Sequence, residues 1–237
     1  MTLALSPAAR DGCSRVRQAV IPVVHTTSNQ LFFIYTGQRR GLMINPAQFL
    51  ERTRLSQRNF AVITDANSGF FQFGVSSTLQ SFEALLEWHT TYVSSLSHVS
   101  RTFCIGTSMG GYAAILFGYL LAVEEVWSFS PQTVVRTRHL REPSAPIVVR
   151  RHDPAADVTT KGKHVPAERA DLASLLARSN GRTRYNVFYN ESACGDRDAA
   201  LRIAPYDGVR LWPQAGDGHN VLEQISESGL LESLLPD

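Results

Sequence analysis

Thr102-Phe103-Cys104-Ile105-Gly106-Thr107-Ser108-Met109-Gly110-Gly111-Tyr112-Ala113-Ala114-Ile115-Leu116-Phe117 is the stretch whose reading decides the fold. An apolar run leads into a glycine-flanked serine, and a helix-forming run follows. The pattern predicts strand, tight turn and helix, with Ser108 at the tip of the turn. A bare G-x-S-x-G is a weak signal; between a strand and a helix it describes a nucleophile elbow, a sharp turn that leaves a hydroxyl exposed above a sheet. Gly106 and Gly110 fall where a Cβ would clash between strand and helix. The Met109 N–H lies at the start of the predicted helix and can face a developing oxyanion. The structural alternative is a plain strand-to-helix turn.

Working outward, strands are predicted at Val20–His25, Leu31–Tyr35 and Phe60–Thr64 before the elbow. After it they fall at Val126–Phe129, Ile147–Val149, Tyr185–Tyr189 and Val209–Trp212. A short helix or turn is expected at Phe49–Leu55. Leu79, Phe82, Leu85, Leu86 and Val93 recur at near-helical spacing, so Thr78–Leu96 is read as a helix capped by Ser77 or Thr78, with Ser81 as a variant cap. Further helical segments are expected at Ala167–Arg178, at Asp198–Ala204 and in turns between Val221 and Leu235. Strands that alternate with helices make an α/β fold: a mostly parallel sheet with helices on both faces. Residues 1–17 read as a flexible lead-in and 18–237 as one domain. Phe70, Phe71 and Phe73 either pack under the next helix, the favoured reading, or line an acyl pocket. Tyr112 and Trp127 are read as core.

The basic stretch from Arg136 to Lys163 interrupts this order. It carries seven arginines and lysines, three prolines and few acids. It is too long and proline-punctuated for a simple crossover, so 136–166 is read as an irregular cap or insertion. It either draws an anionic substrate toward the site or is a solvated loop.

Composition excludes several classes. The 237 residues suit one α/β domain, and 43% hydrophobic residues supply a core. A net charge of +2 gives no electrostatic footprint for nucleic acid. No apolar run approaches the ~18 residues of a membrane span, and the N-terminus lacks the pattern of a secretory signal, so a cytoplasmic protein is expected. Cys13, Cys104 and Cys194 form neither a metal pattern nor a disulfide framework. Cys104 is expected in the core and Cys194 as a bystander thiol.

A serine hydroxyl needs a base to take its proton, and the base needs an acid to orient it. In elbow enzymes they follow the serine in the order acid, then histidine. His139, His152, His164 and His219 follow Ser108. His219 is selected because it lies in a glycine-rich loop after the last strand, where an imidazole can swing over the elbow. The alternative is an exposed loop histidine. The acid is expected after the penultimate strand, where Asp196 is favoured over Glu191 and Asp198; its structural alternative is capping the helix that begins there. Asp217 is too close to His219 in sequence. For the second oxyanion donor, the loop after an early strand offers the N–H of Gln38, with Gly37 allowing close approach.

Ser108-Met109-Gly110-Gly111-Tyr112-Ala113-Ala114, Leu116-Phe117-Gly118 and Phe129-Ser130-Pro131-Gln132 together resemble the α/β-hydrolase superfamily. The chain is most similar to a bacterial branch associated with polysaccharide and cell-surface biosynthesis. Tyr35-Thr36-Gly37, Asp196-Arg197 and Gly218-His219-Asn220 have counterparts there. The Thr36–Arg39 loop departs from it in lacking the His-Gly start of lipase-type oxyanion loops. The resemblance implies acyl chemistry through a serine ester, with Ser108, Asp196 and His219 as triad and the Met109 and Gln38 N–H groups as oxyanion hole. It implies an ester or thioester hydrolase, or an O-acyltransferase acting on a glycan or small-molecule hydroxyl. A catalytically silent binding module is the alternative outside enzymes. No cofactor or metal is called for; a transferase would use acyl-CoA as co-substrate. The expected partner is a small-molecule or glycan-linked acyl substrate.

Overall fold

The computed structural model describes residues 19–38, 40–135, 158–160 and 163–236. The lead-in at 1–17, the expected strand Ile147–Val149 and most of the 136–166 insertion lie outside them, as do Cys13, Arg39, His139 and His152.

In chain order the elements begin β1 (Val20–Val23), β2 (Gln30–Tyr35), α1 (Pro46–Arg52), β3 (Asn59–Ile63), α2 (Phe82–Ser95), β4 (Arg101–Thr107), α3 (Met109–Leu120) and β5 (Glu125–Phe129). They continue with β6 (Val158–Thr160), β7 (Lys163–Val165), α4 (Ala167–Ala170), α5 (Leu172–Leu176), β8 (Arg184–Asn190), α6 (Cys194–Ile203), β9 (Val209–Gln214) and α7 (Val221–Glu227). Seven strands form one sheet in the order β1-β3-β2-β4-β5-β8-β9. β1 runs antiparallel to β3 and every other pair is parallel.

The central strands are apolar on both sides, and this is why helices cover two faces. β2 is buried at every position. Leu31, Phe33 and Tyr35 enter one core while Phe32 and Ile34 enter the other. β4 divides in the same way, with Cys104 on one side and Phe103 and Ile105 on the other. So does β5, with Val126 opposed to Trp127 and Phe129. A strand apolar on both faces is stable only inside a doubly covered sheet. Residues of α2, α3, α5 and α6 fill the first core; Phe49 of α1 and Val221, Leu222 and Ile225 of α7 fill the second. Each fully buried Leu or Phe contributes about 1.5–3 kcal/mol. Cys104 belongs to the core, and burial pushes its thiol far above the ordinary range.

The helices differ from the sequence reading at their starts. α2 begins at Phe82 rather than Thr78, with the Ser81 hydroxyl accepting the Ala84 N–H at 3.0 Å. The preceding residues close a turn of their own, with Val75 N–H on the Leu79 carbonyl and Leu79 N–H on the Ser76 hydroxyl. α6 begins at Cys194, before the expected Asp198. Its first turn, Cys194-Gly195-Asp196-Arg197, has no apolar residue facing the core to announce it. Asp196 therefore lies within that turn instead of capping it; Ala193 is the N-cap and makes no side-chain cap bond. The β6–β7 hairpin lies inside the stretch read as irregular. Phe70 and Phe71 are buried, edge-on against Tyr112 and Tyr35 at 5.3 and 5.4 Å. They belong to the core, with these ring contacts made to α3 and β2 rather than to the following helix, and Tyr112 and Trp127 are core residues too.

Candidate active site

β4 lies mid-sheet, with Gly106 level with Tyr35 on β2 and with Ser128 on β5. Its C-terminal end therefore opens at the centre of the sheet's carboxyl edge, where ligands of open α/β sheets bind. Ser108 stands there with φ 54° and ψ −117°. A non-glycine residue adopts such a conformation only where its surroundings impose it. The imposing contacts are visible. The Ser108 N–H donates to the Phe129 carbonyl at 2.8 Å, and the Ser108 carbonyl accepts the Tyr112 N–H at 3.1 Å. A Cβ on Gly106 would stand 1.9 Å from the Gly110 carbonyl oxygen. One on Gly110 would stand 2.1 Å from the Tyr35 carbonyl oxygen and 2.6 Å from that of Thr36. α3 thus sits directly against the end of β2, the strand from which the loop carrying Gln38 leaves.

His219 is in the loop between β9 and α7, and its Nε2 is 2.9 Å from Ser108 Oγ. Its Nδ1 lies 2.9 and 2.8 Å from the two carboxylate oxygens of Asp196. A carboxylate only accepts, so Nδ1 carries the proton and Nε2 presents its lone pair to the Ser108 hydroxyl. The Asp196 side chain is 15% exposed and that of His219 48%. The carboxylate is sheltered while the imidazole is half exposed. Asp196 reaches His219 because the start of α6 leaves its side chain free of cap bonds.

Two asparagines outside the sequence-predicted set hold the histidine loop. Asn190, fully buried at the end of β8, donates from Nδ2 to the Gly218 carbonyl at 2.6 Å. Asn220 donates to the Met43 carbonyl at 2.9 Å, joining that loop to the segment after Gly41. Asn190 was visible only as the residue that follows the predicted strand Tyr185–Tyr189. Its partner lies 28 residues away, and no local pattern encodes that pairing.

Gln38 is exposed and lines the same cleft as Ser108. In its loop the Gly37 N–H is engaged by the Gly41 carbonyl at 2.8 Å, and the Arg40 N–H by the Gly37 carbonyl at 2.9 Å. The Gln38 N–H makes no backbone bond among the described residues. The Met109 N–H, first of α3, belongs to the unpaired donors of a helix start. Glu191 and Asp198 are exposed and make no contact with His219 among the described residues, and Asp217 makes none either. Cys194 is exposed, its thiol 3.8 Å from the Ser192 carbonyl.

The cleft has a volume of about 1550 Å³. Its described lining comes from the loop after β2, from Thr107 and Ser108, from residues 132–134, from α6 and from residues 218–220. Among the described residues no cluster of His, Cys, Asp and Glu is placed to hold a metal ion. No helix there is long and apolar enough to cross a membrane.

No family model matches the chain, and no curated protein matches its sequence. Solved structures do match in shape. The capsule O-acetyltransferase of Neisseria meningitidis serogroup A is 11% identical, with a TM-score of 0.59 over 90% of each chain. Est1E from Butyrivibrio proteoclasticus is 12% identical, with a TM-score of 0.56 over 87% of each chain. FphF, a fluorophosphonate-binding serine hydrolase of Staphylococcus aureus, is 13% identical, with a TM-score of 0.55 over 91% of this chain and 86% of that one. The shared architecture is the α/β-hydrolase fold.

Proposed function

We propose that this α/β-hydrolase scaffold carries a serine-nucleophile enzyme that cleaves an ester or thioester through a covalent acyl-enzyme. The observation behind it is the unbroken chain from Asp196 through His219 to Ser108 Oγ, with every link between 2.8 and 2.9 Å. His219 Nε2 takes the Ser108 proton as Oγ attacks the carbonyl carbon. The Met109 and Gln38 N–H groups receive the negative charge that moves to the carbonyl oxygen. The tetrahedral intermediate collapses, the bond to the leaving group breaks, and the imidazolium of His219 protonates the departing oxygen or sulfur. Asp196 keeps the imidazole in the required tautomer and stabilises its cation without itself taking the proton. A second nucleophile then gives up its proton to His219, attacks the acyl-enzyme and restores Ser108.

If that nucleophile is water, the enzyme is a hydrolase. If it is a glycan or small-molecule hydroxyl, the enzyme is an O-acyltransferase, with acyl-CoA as a suitable donor. Transfer is kept as a second reading for a specific reason: the cleft exceeds the ~300–1,000 Å³ common for small-ligand pockets and leaves room for an acceptor beside the acyl group. The fold likeness to a capsule O-acetyltransferase is compatible with it.

The test has two parts. A fluorophosphonate probe is expected to label wild-type protein and not Ser108→Ala. Turnover of p-nitrophenyl esters and acyl-CoAs, with and without added glycan, then separates hydrolysis from transfer. A folded wild-type protein that takes no label and turns over none of these substrates would leave the silent binding module as the better reading.

A further inference from the structure

The same cleft is lined by a charge that the acyl chemistry does not use. Gly195, Asp198, Ala199 and Arg202 of α6 all line it. Their spacing of three, four and seven residues puts them on one helix face. Arg202 is the one arginine or lysine among the described residues of the lining. Its guanidinium is fixed rather than mobile. Nη2 donates to Oδ2 of Asp171, and Nε to Oδ1 at 3.3 Å. Asp171 is a rigid anchor: its side chain is 1% exposed, its Oδ1 caps α5 by accepting the Ala173 N–H at 2.9 Å, and its backbone bridges Val134 on the cleft wall. The Arg202 side chain remains 39% exposed, with the rest of its planar fork available on the cleft side.

We propose that Arg202 is a substrate-binding residue that selects an acyl donor or acceptor carrying an anionic group, a carboxylate or phosphate, remote from the reacting carbonyl. This rests on the serine-enzyme reading above. The helix sets the distance. Arg202 lies six positions beyond Asp196, or about 9 Å along α6 at 1.5 Å per residue. Asp198, exposed between them on the same face, repels an anion from the intervening stretch. The substrate is therefore uncharged next to the scissile bond and anionic at its far end. A guanidinium already oriented by a buried carboxylate loses little freedom on gripping an anion, and charge-assisted bonds of this kind are the stronger ones.

The experiment uses the whole chain and pairs of probes differing only in charge. On the acyl side, kcat/KM for the mono-p-nitrophenyl ester of suberic acid is compared with that for p-nitrophenyl octanoate. On the acceptor side, inhibition of ester turnover by glucuronate is compared with inhibition by glucose. A preference of about tenfold for the charged member is expected on one side, and which side shows it identifies where the anion resides. Arg202→Gln is expected to abolish that preference, and Arg202→Lys, which keeps the charge beside Asp171 but not the fork, to reduce it several-fold. Equal handling of charged and uncharged probes by the wild type overturns the proposal, as does a preference that survives in Arg202→Gln. If Arg202→Gln does not fold, the wild-type preference and Arg202→Lys decide. Fluorophosphonate labelling of Ser108 is followed in the same preparations. Labelling without charge preference sinks the anion reading alone; no labelling of folded wild type sinks the serine-enzyme reading beneath it.

Discussion

His89 offers a quantitative test of how the end of β2, and with it the Thr36–Gln38 loop, is held. The imidazole is fully buried on α2. Nδ1 is 2.7 Å from the Leu85 carbonyl and Nε2 is 2.7 Å from the Tyr35 hydroxyl. The carbonyl can only accept, so Nδ1 carries the proton and Nε2 accepts from Tyr35. Burial pushes the His89 pKa down to about 4, against the opposing pull of the Leu85 carbonyl. In the unfolded chain it titrates near 6.5, as a free histidine does. Between these values the unfolded state binds more protons, so stability is whole above pH ~6.5 and falls as the pH drops toward 4. The full loss is about 3 kcal/mol, 2.5 pH units at 1.36 kcal/mol each, and about 2 kcal/mol of it is gone by pH 5. Glu83 and Glu124 are held below their ordinary values, Glu83 chiefly by its own backbone N–H and Glu124 chiefly by Arg101, so their contributions disappear at lower pH still. Urea unfolding followed by circular dichroism at pH 8, 6 and 5 measures the slope. His89→Gln keeps a donor and an acceptor but does not titrate, and it should flatten the wild-type slope by about 2 kcal/mol over that range. Parallel pH dependences for wild type and His89→Gln would refute the neutral, Tyr35-bonded imidazole.

Four substitutions address the site itself. Asp196→Asn should lower kcat by about 10³–10⁴-fold because the amide favours the wrong imidazole tautomer, whereas Glu191→Gln should stay within about twofold; steady-state kinetics on one ester decides, and the reverse order would reassign the acid. Asn190→Ala removes the bond to the Gly218 carbonyl and should lower kcat about tenfold with little change in KM, alongside a stability loss of about 1–3 kcal/mol in urea unfolding. An unaltered kcat would show that the His219 loop holds its position without Asn190. Gly110→Ala places a methyl group 2.1 Å from the Tyr35 carbonyl oxygen and should cost about 3 kcal/mol or more, read as a lowered melting temperature with loss of fluorophosphonate labelling.

What the sequence disclosed and what it withheld divide along the range of the interactions. The elbow was legible because its requirements are local: an apolar strand, small residues at 106 and 110, and a helix former after them. The six other strands of the large sheet were legible as apolar runs with glycine or proline punctuation, whereas β6 and β7 were not. Asp196 illustrates the limit. From sequence its two readings, helix cap and partner of His219, differed only in where α6 starts. That start was hidden because the first turn of α6 is exposed and carries no apolar period. The structure begins the helix at Cys194, which leaves the carboxylate uncommitted to a cap and turned to His219. Asn190 and Arg202 were illegible for a related reason. Each works through a partner 28 or 31 residues away, Gly218 or Asp171, and only the closing of α6 and β9 onto the sheet brings those pairs together.

Under the proposed mechanism, the loop that carries Gln38 can depart from the His-Gly pattern of lipases and still supply a donor. Such a loop must keep one N–H unengaged at the serine while its neighbours are tied down. Here the Gly37 N–H and carbonyl are bonded to Gly41 and Arg40, closing a turn that leaves the Gln38 N–H outside it. Gly110, set against the Tyr35 and Thr36 carbonyl oxygens, keeps the start of α3 close to the end of β2, the strand from which that loop leaves. The requirement is on backbone geometry, not on a histidine, and it can be met by any side chain at position 38 that tolerates the turn. Gln38→Ala should therefore retain activity within about threefold, while Gln38→Pro, which deletes the N–H, should lower kcat by about 10²–10³-fold at similar KM. Equal losses in the two variants would place the second donor on the side chain or elsewhere in the loop.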